Sequence, residues 1–183
     1  MRAARQRKCR VCRATYRPAS TLQAVCSPTC AMEYVRIANR HAARIQTAAD
    51  RRRLMTRRDW QKRAQTAFNA YIRERDKNQP CICCGKPLTV SAPTGGGYDA
   101  GHYRSVGSAP HMRFVEDNCH AQRKVCNQFG AGRAVDYRIG LIRRIGIERV
   151  EALEADQAPR KYTAEELQAI ERTYKNKLKE LKR

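Results

Sequence analysis

Between Ala31 and Lys77 the chain has neither glycine nor proline, and a sparse apolar set recurs partly at helical spacing: Tyr34, Ile37, Ile45, Leu54, Trp60, Ala64, Phe68, Tyr71 and Ile72. Alanine, arginine, glutamine and leucine dominate the stretch, which predicts one long helix or two joined ones with one face that packs. Residues 133–155 carry a second helical pattern, interrupted at Gly146. Near the end Thr163 and Glu166 form a capping box, and Leu167, Ile170, Tyr174, Leu178 and Leu181 follow at intervals of three and four, so an amphipathic helix is expected. Its seam is short for a dimerising coiled coil, and docking onto the chain's own core is at least as well supported. Residues 79–132 differ in character, gathering cysteines, glycines, most prolines and all but one of the histidines. A turn at Pro93–Gly97, a strand over Tyr98–Arg104 and a loop through Gly107 and Pro110 are expected there. No internal repeat is present.

Charge narrows the class of partner. Lys and Arg number 38 against 17 acids, a net charge of +21 spread along the whole chain. Such a surplus fits a polyanion, because each neutralised phosphate releases counterions whatever the sequence. A merely soluble or ribosome-associated basic protein is the plainer explanation. The 183 residues suffice for one ordinary domain or two small ones and argue against a single large enzyme fold. No run of about 18 apolar residues exists for a membrane helix. The basic start, Met1 to Arg10, lacks the apolar stretch of a signal peptide. A cytoplasmic location is expected, and nine cysteines in a reducing compartment point to metal ligation rather than disulfides.

The first four cysteines are the clearest case. Cys9 and Cys12 form a Cys-x-x-Cys pair, Cys26 and Cys30 a second pair with three residues between, and residues 1–30 carry seven Lys or Arg and no acid. Four soft ligands on two tight turns suit a tetrahedral zinc ion. The intervening Tyr16, Pro18 and Ser27-Pro28 resemble a zinc ribbon or treble-clef finger. In the helical stretch that follows, residues 31–77 hold 13 basic residues against 5 acids. Arg51, Arg52, Arg53, Arg57 and Arg58 cluster there as candidate DNA-backbone contacts, a solvated helix face being the ordinary alternative. Arg104 and Arg113 are further phosphate candidates, since guanidinium forks match phosphate oxygens. Trp60 reads as a packing anchor, and Gly95 to Gly97 form no phosphate loop.

The chemistry concentrates in Tyr98-Asp99-Ala100-Gly101-His102-Tyr103, Glu116-Asp117-Asn118-Cys119-His120 and Cys126-Asn127. Phosphodiester hydrolysis needs a base for water, a divalent metal and groups that hold both still. A strand-borne histidine, a nearby aspartate and two asparagines can supply these. His102, Asn118 and Asn127 resemble the three defining positions of an HNH (ββα-metal) nuclease. That resemblance implies His102 as general base, Asn118 as the residue orienting loop and base, and Asn127 as a ligand of Mg²⁺ or Mn²⁺. The residue before the base is usually a metal ligand in that family. It is Gly101 here, so the role passes to Asp99, on Gly101's face of the strand.

More narrowly, the chain resembles the phage NinG or Rap recombination endonucleases. The likeness rests on the cysteine-rich start, the basic helix, the blocks Asp99-Ala100-Gly101-His102 and Ala109-Pro110-His111-Met112-Arg113-Phe114, and the closing Tyr162-Thr163-x-Glu165-Glu166-Leu167 helix. It implies a phage protein, working in the host cytoplasm, that cleaves Holliday junctions and other branched DNA. HNH domains often add a zinc held by two Cys-x-x-Cys pairs. Cys81 and Cys84 supply the first pair, but the second has Arg123 beside Cys126, which leaves the fourth ligand to Cys119, Cys83 or His120. His111 and His120 have no assigned role. Paired cuts across a four-way junction would suit a two-fold homodimer.

The expected fold is thus α+β and mostly helical. It comprises a zinc-ribbon or treble-clef-like module (1–30), a basic helical segment (31–78), an HNH-like ββα-metal core (79–132) and C-terminal helices (133–183). A non-catalytic zinc protein that binds nucleic acid, and an HNH enzyme with another DNA target, are the competing readings. No element assignable to base reading is evident, which disfavours a sequence-specific cutter.

Overall fold

Ser27 accepts a hydrogen bond from the Cys30 main chain and Pro28 fits the first turn, so the earliest helix begins at the second cysteine pair. A computed structural model describes residues 6–89, 97–130 and 132–183. The expected turn at Pro93–Gly97 falls mostly outside them. The architecture is mixed and mostly helical, with two small sheets. Contacts divide the chain into two units, 1–55 and 56–183.

In the first unit, β1 (Arg7–Lys8) pairs antiparallel with β2 (Thr15–Tyr16), followed by α1 (Pro28–Arg53). No residue of α1 is buried, and Met32, Val35, Ile37 and Ile45 remain exposed. The glycine-free stretch forms two helices, because Thr56 starts a new one with a capping box to Asp59.

The second unit opens with α2 (Arg57–Arg75), which buries Trp60, Ala64, Ala67, Phe68, Tyr71 and Ile72. β3 (Tyr98–His102) pairs antiparallel with β4 (Cys119–Arg123), so the expected strand stops two residues short of Arg104. A one-turn π-helix, Val125–Phe129, follows β4. Then come α3 (Ala134–Ile145), α4 (Ile147–Ala155) and α5 (Ala164–Leu181). Gly146, at φ 87°, separates α3 from α4 in a conformation few side chains tolerate. The Thr163–Glu166 capping box starts α5, whose Leu167, Glu171 and Tyr174 are buried against α2. The short apolar seam is therefore used within the chain.

Two packed groups hold this unit. Ile82, Ala109, Met112, Tyr137, Leu141, Val150 and Leu153 form one core. Phe68 sits edge-on to Phe114 and Tyr174 in the other. α3 lies so close to the first loop that a Cβ on Gly140 would fall 1.8 Å from the Ile82 carbonyl oxygen.

Candidate functional site

Cys9, Cys12, Cys26 and Cys30 bring their sulfurs within 4.8 Å of one another. Cys12 and Cys26 are 3.5 Å apart, Cys26 and Cys30 3.7 Å. A zinc tetrahedron with bonds of about 2.3 Å has edges of about 3.8 Å, so the group fits such an ion. Burial raises the Cys9 thiol, but main-chain N–H groups of Cys12, Val11 and Cys26 outweigh it and bring it down to about 6. That favours the thiolate a metal needs.

Cys81, Cys84 and Cys126 form a second close group. The Cys83 side chain hydrogen-bonds that of Cys81, the first cause drawing the Cys81 thiol down to about 4. The Cys83 sulfur also accepts from Gln122 Nε2 at 2.7 Å. Cys119 is not a member, which corrects its inclusion as a ligand. Arg123, at one end of β4, donates its main-chain N–H to Cys81 Sγ. Cys119 opens the other end, four residues or about 13 Å away along the strand. There it faces His102, its Sγ 3.8 Å from Nδ1. His120 is excluded as well. It is 4% exposed, with Nδ1 3.0 Å from Arg75 Nη2 and Nε2 3.2 Å from the Asp117 carbonyl.

Between β3 and the π-helix, Asp99 Oδ2 accepts from Asn127 Nδ2 at 3.2 Å and from Gln128 Nε2 at 2.9 Å. Gln128 had no assigned role; its only signal was adjacency to Asn127. A side chain could not occupy position 101, because a Cβ there would lie 2.1 Å from Oε1 of the fully buried Gln122. The Gly101 carbonyl accepts from Tyr137 Oη at 2.8 Å, and that hydroxyl in turn accepts from the His120 main-chain N–H, tying β3 and β4 to α3.

His102 lies three residues, about 10 Å, along β3 from Asp99 and on the opposite face. Its Nε2 is 3.0 Å from the Arg113 carbonyl, which only accepts, so Nε2 carries the proton and Nδ1 the lone pair. Burial lowers its pKa, and the ring is neutral near pH 7. Asn118 is fully buried: Oδ1 accepts from Arg104 N at 2.8 Å, and Nδ2 donates to the carbonyls of Arg104 and Met112. It thereby closes the loop from 104 to 118.

The arginines sort into two sets. Arg51, Arg52, Arg53, Arg57 and Arg58 are exposed. Arg104 is not offered to a ligand, contrary to expectation, because its guanidinium donates to the Leu153 and Asp156 carbonyls and to Gln157 at the end of α4. Arg113 is half-buried and donates to Gln65 Oε1 at 3.1 Å. His111 Nε2 is 3.0 Å from the Asp156 carbonyl. Among the described residues no helix is long and apolar enough to cross a membrane.

A family model described as Bacteriophage Lambda NinG protein matches residues 1–183. Protein ninG of Salmonella phage P22 is 47% identical over 123 residues, covering 67% of this chain and 58% of that protein. Its counterpart in Escherichia phage lambda is 46% identical over 123 residues, 67% of this chain and 57% of its own length. Protein ninG of Enterobacteria phage H19B is 36% identical over 195 residues, 97% of this chain and 94% of that protein. The matched stretch therefore spans under two thirds of the P22 and lambda relatives. No solved structure matches the chain.

Proposed function

The chain belongs to the NinG family of bacteriophage proteins, and from that premise we propose that it is a structure-specific endonuclease that hydrolyses phosphodiester bonds in branched DNA, Holliday junctions included. The observation that carries this reading is the meeting of Asp99 and Asn127 in a strand-strand-helix unit. Carboxylate and side-chain amide oxygens are hard donors that suit Mg²⁺ or Mn²⁺, and Asp99 and Asn127 would hold such an ion once the Asn127 amide, whose nitrogen donates to Asp99 Oδ2, turns its oxygen inward. Bound there, it supplies positive charge to the phosphate under attack.

His102 supplies the base in this reading. Burial keeps it neutral, its Nε2 proton is committed to Arg113, and Nδ1, which carries the lone pair, faces Cys119 Sγ at 3.8 Å, so water has to displace that thiol contact to give its proton there. Asn118 holds the loop that carries the Arg113 carbonyl. The arginines around the end of α1 and the start of α2 engage the DNA backbone, whose geometry rather than sequence selects the substrate. The protein acts in the host cytoplasm, and paired cuts call for a two-fold homodimer. One zinc sits on Cys9, Cys12, Cys26 and Cys30. A second would sit on Cys81, Cys84 and Cys126; Cys83 stands outside that close group and would serve as fourth ligand only by turning its sulfur from Gln122 and the Gly132 carbonyl. Cys83→Ser should remove one zinc per chain and Cys119→Ser none, by metal analysis. The reverse result would reject Cys83.

The test of function is cleavage of a synthetic four-way junction with and without Mg²⁺. His102→Ala and Asp99→Ala are expected to keep junction binding and lose cutting by about a hundredfold or more. Cutting by His102→Ala within about tenfold of the parent would refute the base assignment. The placement of His102 on the face opposite Asp99 favours a second reading, a non-catalytic zinc protein that binds nucleic acid. Metal-dependent cutting abolished by Asp99→Ala would eliminate it.

A further inference from the structure

The first unit contains a groove of about 740 Å³ that the nuclease reading does not use. Arg7, Lys8 and Arg10 line it with Tyr16, Tyr34 and Leu22. The cations are exposed, and none forms an ion pair among the described residues. No acid precedes Glu33 in the sequence, and Glu33 pairs with Arg36 and Arg40. Leu22 is 92% exposed, an apolar side chain held out beside three positive charges.

The groove is built rather than incidental. Arg7 donates to the Thr21 carbonyl at 2.7 Å, Arg10 to Tyr34 Oη at 3.0 Å, and Tyr16 Oη to the Gln23 carbonyl at 2.6 Å. Arg10 N also donates to the Ala24 carbonyl. Lys8 and Arg10 flank Cys9, which is fully buried in the first cysteine group, so the knuckle that orders the sulfurs also sets the spacing of the charges.

We propose that this groove binds an unpaired stretch of DNA. Cations along a channel track phosphates, while aromatic and apolar surface between them is useful only to bases free of their partners. A duplex presents phosphate and sugar to such a groove and gains nothing from Leu22 or the tyrosines. The site deepens the branched-DNA reading, since branch points and flaps expose unpaired nucleotides. Its occupancy does not require cutting.

The experiment uses the full zinc-loaded chain in Mg²⁺-free buffer, with a labelled 15-nucleotide oligothymidylate and a 15-base-pair duplex as probes. Combined Arg7→Gln, Lys8→Gln and Arg10→Gln should weaken single-strand binding about tenfold and lower its log-affinity against log-salt slope by about 2, at about 0.7 per phosphate contact. Duplex binding should change by less than about threefold. Leu22→Trp leaves the fold intact because the position is open to solvent, and its added fluorescence should be quenched by the oligothymidylate and not by the duplex. Equal losses on both probes, or no loss on either, would overturn the proposal, as would quenching by the duplex alone. Without a metal for cutting, the result stands whether or not the chain is a nuclease.

Discussion

Asn118 shows how much one buried side chain can organise. Its amide satisfies three main-chain groups of the 104–118 loop from a position with no solvent access. Asn118→Ala strands those groups in the interior, and a loss of about 3 kcal/mol in denaturant-derived stability is expected. A loss below about 1 kcal/mol would mean that water replaces the amide. The buried histidines set the pH response. Burial lowers the pKa of His102 and of His120 below their ordinary value. The unfolded chain therefore takes up protons first as pH falls through about 6.5, and stability declines there. Burial raises Asp76, but His120 and Arg75 hold it well below the carboxylate range, so its contribution is present above about pH 4 and lost below. Urea midpoints at pH 7.5 and 5.5, with zinc retention verified at both, should differ in favour of 7.5. Equal midpoints would contradict the sign.

At the scale of elements, α5 matters because it closes the aromatic core over α2. Tyr174 stacks edge-on to Phe68 at 4.8 Å between centroids, and Glu171, only 4% exposed, takes both Nε and Nη2 of Arg63. Tyr71 Oη donates to Glu116, which also receives Lys177, so α5 is tied to the loop before β4. Leu167 is fully buried in this contact. Leu167→Ala is expected to cost about 3 kcal/mol in chemical denaturation, the usual loss when a fully buried leucine is truncated. The oligomeric state should not change, because the α5 seam faces α2. A shift to monomer on this substitution would show that α5 joins two chains instead.

For the whole molecule the dominant quantity is the charge of +21. If the chain holds DNA as proposed, replacing Arg51, Arg52, Arg53, Arg57 and Arg58 by glutamine removes up to five released counterions. The duplex salt slope should then fall by up to about 4.5, at about 0.9 per contact. Four-way junctions and plain duplex should weaken alike, because these contacts sense backbone charge. Cleavage at saturating protein should change little, since Asp99, Asn127 and His102 belong to other elements. An unchanged slope would place the DNA on other basic residues.

By itself the sequence determined what depends on neighbours along the chain. The capping box at Thr163, the break at Gly146 and the first four cysteines are local patterns found where spacing placed them, whereas the packing face expected over 31–77 is buried in α2 and exposed at Ile37, Ile45 and Leu54. Only the tertiary structure decided which groups from distant segments meet. It turned Cys119 toward His102 rather than toward Cys81, and spent Arg104 on the end of α4. It also explains the glycine before His102, where buried Gln122 fills the space a side chain would need. These outcomes rest on strand register and long-range packing, in which a side chain's direction depends on partners tens of residues away. Composition and spacing cannot encode that direction, because the same cysteine or arginine serves a metal, a phosphate or a helix end according to what folds against it.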